Sequence, residues 1–166
     1  MLPETRTQLW PNEAACAASA GALAVALATR TAGLHDACIE LHGPLGAGKT
    51  TFVRYLLHAL GVQGRVKSPT YAVLEEYELP APDGDATHGV HIRHFDFYRF
   101  DDPQEWEDAG FREVFGSPGL KLVEWPEKAE GLLPQPDLRI EIEPGLDEQR
   151  VVRLHAFTAL GAELLG

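Results

Sequence analysis

Residues 43–50 read GPLGAGKT, which matches the pattern G-x-x-x-x-G-K-[ST], and no other feature of this 166-residue chain limits its fold so tightly. A loop of this kind works only between a strand and a helix. Its glycines let the backbone turn sharply, so that successive N–H groups converge on a polyphosphate. The helix that follows adds the positive end of its dipole to the same anion. The flanks meet that requirement. Residues 37–42 (ACIELH) form a short apolar run that reads as a buried strand, and Phe52, Val53, Leu56, Leu57 and Leu60 recur at helical spacing up to Gly61. The loop therefore predicts binding of a nucleoside triphosphate with Mg²⁺. Gly43, Leu45, Gly46, Ala47, Gly48, Lys49, Thr50 and Thr51 are the binding residues, with Lys49 on the β- and γ-phosphates and the Thr50 hydroxyl on the metal.

The remaining pattern predicts an α/β fold, a P-loop NTPase-like three-layer domain spanning residues 1–166. It has a mostly parallel central sheet and an antiparallel hairpin addition. A helix runs from about Asn12 to Arg30, opened by Asn12 or Pro11. Residues 71–79 and 90–97 alternate as strands around a turn-rich segment, 80–89 (PAPDGDATHG), which forms the hairpin tip. One or two short helices follow over 103–115, with Asp101 or Asp102 as cap and Pro103 at the first helical position. Residues 119–124 (GLKLVE) form a second buried strand. Two more strands lie at 138–143 and 149–157, and a last helix at 158–165. Strand order is not readable from this pattern.

A triphosphate site also needs a carboxylate at a neighbouring strand end to hold the metal or its waters. Glu124 closes the apolar run 120–123, and Asp96 sits in the strand around HFDF, so both fall at the carboxyl edge where open α/β sheets bind ligands. Ser68-Pro69-Thr70 offers a hydroxyl to the γ-phosphate side. His42, His91 and His94 read as hydrogen-bonded core or edge residues rather than catalysts. Asn12 and its neighbours are candidates for the base pocket.

Charge and cysteine content narrow the classes further. With 14 Lys and Arg against 25 Asp and Glu, the net charge is −11, and no basic block neutralises a nucleic-acid backbone, so tight independent binding of nucleic acid is disfavoured. Cys16 and Cys38 form no CxxC and have no His at metal-ligand spacing, which argues against a zinc site or a disulfide framework and for a reducing, cytoplasmic setting. The apolar run 14–28 lacks a basic lead and is too short to span a bilayer, so no membrane association is expected.

Four strings in order, GPLGAGKTTF, VKSPTY, HFDFYRF and LVEWPEK, resemble the TsaE (YjeE) family over residues 41–136. These are small bacterial P-loop ATPases needed to make threonylcarbamoyladenosine in tRNA. The resemblance implies ATP and Mg²⁺ as ligands. It also implies a role as accessory ATPase to the transferase complex of the TsaD and TsaB proteins, with tRNA reached indirectly through them. It places Lys49 and Thr50 on the phosphate- and Mg²⁺-binding positions and Glu124 on the metal-side glutamate. Asp96 falls on the aspartate required for hydrolysis, Thr70 in a switch segment, and Trp125 close to the nucleotide. The catalytic set it implies is Lys49, Asp96, Glu124 and Thr70, with Thr50 and Glu124 at the metal.

Two departures stand out: Pro44 replaces the usual aspartate and has no N–H to offer a phosphate, and the 80–89 loop is long. Arg99 is a candidate for a phosphate or partner contact, and no arginine finger is evident, so slow hydrolysis by the isolated chain is expected. The rival readings are a small-molecule or nucleoside kinase, which would need an arginine-rich lid and an acceptor pocket, and a nucleotide-gated binding module without hydrolysis.

Overall fold

The computed structural model describes residues 4–67, 73–82 and 89–166. Its seven strands are β1 (Glu4–Trp10), β2 (Ala37–His42), β3 (Leu74–Leu79), β4 (Val90–Asp96), β5 (Leu120–Glu124), β6 (Leu138–Pro144) and β7 (Arg150–Ala156). They form one sheet in the order β1-β7-β6-β2-β5-β4-β3. The four central strands, β6-β2-β5-β4, run parallel; β1 and β7 add antiparallel pairs at one edge, and β3 folds back on β4 at the other. The α/β class, parallel centre and antiparallel hairpin are thus all present.

Helices cover both faces. On one, α1 (Glu13–Arg30), α2 (Lys49–Leu60) and α5 (Ala159–Leu165) pack an aliphatic core onto the sheet, with Leu27, Ile39, Leu41, Leu56, Leu57, Ile92 and Leu122 all sealed from solvent. On the other, α3 (Pro103–Asp108), α4 (Phe111–Gly116) and a 3-10 turn (Pro126–Ala129) enclose an aromatic cluster of Phe95, Phe97, Phe100, Trp106 and Phe111. Alternation along each strand sorts side chains between these cores, so Phe95 enters the aromatic one while His94 and Asp96 share the α2 face.

Local chemistry explains the element ends. The Asn12 side chain accepts from the Ala15 N–H at 3.0 Å and opens α1, whose buried Cys16, Ala20, Leu23, Ala24 and Leu27 keep the helical period. Asp102 caps α3 by accepting from the Gln104 N–H at 2.9 Å, with Pro103 behind it. Gly61 closes α2 at φ 112°.

Two expectations change. Glu4–Trp10 is a strand that the sequence reading lacked. The strand expected over 71–79 begins at Leu74, because Val73 sits at φ 67°, a left-handed conformation that no strand tolerates. Residues 71–72, with most of the hairpin tip (83–88), lie outside the described residues.

Candidate functional site

The loop leaves β2 at Gly43, where φ is +152° and a Cβ would stand 2.5 Å from the Ile142 carbonyl on β6. Any side chain there would push the loop off the sheet. Pro44 contributes its carbonyl, which accepts from the Ala47 N–H at 3.1 Å and closes a tight turn, so the loop folds without the N–H that proline lacks. Gly48 precedes α2 at φ 108°, and no side chain caps that helix, which leaves its first N–H groups for another acceptor. From the far side, the Arg150 guanidinium on β7 donates to the Ala47 carbonyl at 2.9 Å and ties the loop to the sheet.

One cavity of about 290 Å³ opens at the mouth of the loop, lined by residues 45–51 together with Asp96, Tyr98, Glu124 and Trp125. Asp96 and Glu124 are register partners at the ends of parallel β4 and β5, so the two acids stand side by side at the carboxyl edge. One Asp96 oxygen accepts from the Tyr98 N–H at 2.9 Å. The Lys49 ammonium donates to the Gly43 carbonyl and lies 3.5 Å from the centroid of the Trp125 ring. Burial lowers the Lys49 pKa below the ordinary lysine value, while Glu124, Glu127 and Asp96 pull it back up.

Glu124 is held from two sides. The Thr50 hydroxyl donates to its oxygens at 2.9 and 3.1 Å, and His94 Nε2 meets Oε2 at 2.6 Å. The Thr50 and Glu124 oxygens suit a hard cation: two adjacent ligands of octahedral Mg²⁺, each about 2.1 Å from the metal, lie about 3.0 Å apart. Among the described residues, no group of three or more His, Cys, Asp or Glu could hold a metal ion. A cation here would complete its shell with water and phosphate oxygens, as Mg²⁺ commonly does.

A second cavity of about 260 Å³ lies across the same loop, bordered by Trp10, Asn12, Cys16, Thr51, Glu148 and Arg150. Burial raises the Cys16 thiol pKa to about 11, with Glu13 adding to the rise. Cys38, partly buried, is raised to about 12, and both thiols are free.

The structure therefore gathers Leu45, Gly46, Ala47, Gly48, Lys49, Thr50, Thr51, Asp96 and Glu124 at one cavity and uses Gly43 as its hinge. Thr70 lies outside the described residues. Asn12 borders the second cavity while its side chain caps α1. Trp10, Tyr98 and Arg150 were missed, as was the link from His94 to Glu124. His94 stands two residues before Asp96 on one strand, so period two alone puts it on the face of the acid.

The family model described as threonylcarbamoyl adenosine biosynthesis protein TsaE matches residues 10–152, a span that contains the loop, His94, both acids and Arg150. The chain belongs to the TsaE family. Among TsaE relatives, the tRNA threonylcarbamoyladenosine biosynthesis protein TsaE of Haemophilus influenzae is 42% identical over 127 residues, covering 76% of this chain and 75% of its own. The protein of the same name from Bacillus subtilis is 40% identical over 123 residues, covering 74% and 70%. The fold is similar to the crystal structure of Bacillus subtilis YdiB, with a TM-score of 0.73 and 28% identity over 99% of this chain and 94% of that one. No helix among the described residues is long and apolar enough to cross a membrane.

Proposed function

We propose that this TsaE-family chain binds and hydrolyses ATP with Mg²⁺, and that hydrolysis serves the TsaB–TsaD transferase complex in making threonylcarbamoyladenosine in tRNA. Membership of a family described by that biosynthesis supports the biological role. The observation that carries the chemistry is the convergence of Lys49, Thr50, Asp96 and Glu124 at the mouth of one glycine-rich loop.

Phosphoryl transfer asks little covalent chemistry of a protein; it asks for positioning and charge neutralisation. The N–H groups at the start of α2 would hold the polyphosphate, and Lys49 would exchange the Gly43 carbonyl and the Trp125 ring for a phosphate oxygen. Thr50 and Glu124 would hold Mg²⁺, which supplies charge neutralisation across the β- and γ-phosphates. Asp96, at the end of β4 beside Glu124, would orient the attacking water. The second cavity would take the nucleoside, against Trp10 and Arg150.

Among the described residues no arginine lines the triphosphate cavity. An arginine at the transferring phosphoryl raises turnover by about 10³–10⁵-fold, so the isolated chain is expected to turn over far below the ~1–100 s⁻¹ of kinases. A lone chain at kinase-like rates would contradict the accessory role. The direct test is reconstitution with TsaB, TsaD, threonylcarbamoyl-adenylate and tRNA. Multiple-turnover modification is expected only with this protein and ATP together; turnover indifferent to both would overturn the proposal.

A further inference from the structure

His94 is fully buried and Glu124 is 2% exposed, yet both are polar and both lie on the sheet face that α2 covers. Such a pair is costly to bury unless each group is satisfied, so an imidazole where leucine would pack calls for a reason. The ring makes a single hydrogen bond among the described residues, from Nε2 to Glu124 Oε2 at 2.6 Å, and Nδ1 has no partner there. An ionised carboxylate only accepts, so Nε2 carries the hydrogen. The opposite flank of the carboxylate is held by the Thr50 hydroxyl at the start of α2. Strand β4 and the loop–helix junction thus grip one carboxylate between them.

We propose that His94 is a positioning residue for the metal-side carboxylate, its Nε2–H fixing the plane of Glu124 so that the free oxygen lobes and Thr50 Oγ1 present an Mg²⁺-sized edge. This rests on reading the cavity as a Mg²⁺–nucleotide site. His94 touches neither nucleotide nor metal; it acts through Glu124 alone. Partners that orient a metal-binding side chain typically contribute 10–100-fold in metal affinity.

The test compares His94→Leu, which removes the donor, with His94→Gln, whose amide nitrogen reaches the place of Nε2. Binding of a fluorescent ADP analogue is followed in EDTA and across an Mg²⁺ titration. In His94→Leu the Mg²⁺ needed for half-maximal enhancement is expected to rise about 10–100-fold, with EDTA binding within about threefold of wild type and His94→Gln recovering most of the loss. Unchanged Mg²⁺ dependence in His94→Leu, equal shifts in the two variants, or an equal loss in EDTA would overturn the proposal in favour of a packing role. Wild-type protein with no Mg²⁺-dependent nucleotide binding would overturn the site reading itself, and this inference with it. Should His94→Leu fail to fold, ¹⁵N NMR of the wild-type imidazole at pH 8 decides: hydrogen on Nε2 with bare Nδ1 is expected, and the opposite tautomer refutes the bond to Glu124.

Discussion

The two cavities flank the same loop and share Gly46, Ala47, Gly48 and Thr51, but they are built differently. The first is assembled from the loop and the buried ends of two parallel strands, and its walls carry Lys49, Asp96 and Glu124. The second is assembled from the last residue of β1, the start of α1 and the first residue of β7, with Trp10 stacked on Phe52 at 5.5 Å behind it. One side gathers a buried ammonium and two buried carboxylates where bonds would break; the other offers an aromatic ring and a thiol, with its charges, Glu13, Glu148 and Arg150, exposed or only partly buried. The contrast implies that damage on the first side removes chemistry and damage on the second removes affinity.

The largest expected effect belongs to Lys49→Ala. Loss of its ammonium from the first cavity should lower ATP hydrolysis by ~10³-fold, measured as phosphate release with saturating Mg²⁺. Asp96→Asn and Glu124→Gln come next. Each should lower hydrolysis by ~10²-fold while nucleotide binding in EDTA, read by calorimetry, stays within about threefold. A matching loss of affinity would erase the distinction between the cavities. Arg150→Ala should act in the opposite sense, weakening nucleotide binding about tenfold, or ~1.4 kcal/mol, through a loosened Ala47 carbonyl, with kcat nearly unchanged. A collapse of kcat in that variant would mean that the anchor sets the chemical step as well.

The smallest effect sharpens the description of the second cavity. With a thiol pKa of about 11, Cys16 is about 10⁻³ thiolate at pH 8. Its alkylation by iodoacetamide in the native protein should therefore be slow and should rise about tenfold per pH unit until pH approaches that value. Mass spectrometry of the modified peptide gives the rate. Fast labelling at pH 8 would show that α1 opens and that the cavity is looser than its walls suggest.

How much could be read beforehand follows the same divide. The first cavity was legible because its parts are local: a motif with its strand and helix, one acid that closes an apolar run and another set in a strand. Burial on both faces in the parallel centre of the sheet makes the run before Glu124 nearly continuous, which is why that acid stood out. Of the second cavity, only the neighbourhood of Asn12 was singled out. In β1 only Trp10 is buried and the other residues are exposed or partly so, so period two leaves no trace in hydrophobicity. Arg150 meets Ala47 across 103 residues, through a strand order that no local pattern encodes. His94 was read as a hydrogen-bonded core or edge residue; it is a core one, and its partner became visible only once β4 and β5 lay side by side. At Val73 the alternation was misleading, because side-chain type says little about a left-handed turn that ends a strand.

The pairing of β1 with β7 also sets an order of events at the ribosome. Glu4 faces Ala156 and Trp10 faces Arg150, so β1 waits for a partner strand made long after it. Until Arg150 emerges, a nascent chain can form the loop and α2 but cannot tether the Ala47 carbonyl or finish the second cavity. Contacts so distant in sequence close slowly. The half of the pocket proposed for the polyphosphate would exist, for a time, ahead of the half proposed for the nucleoside.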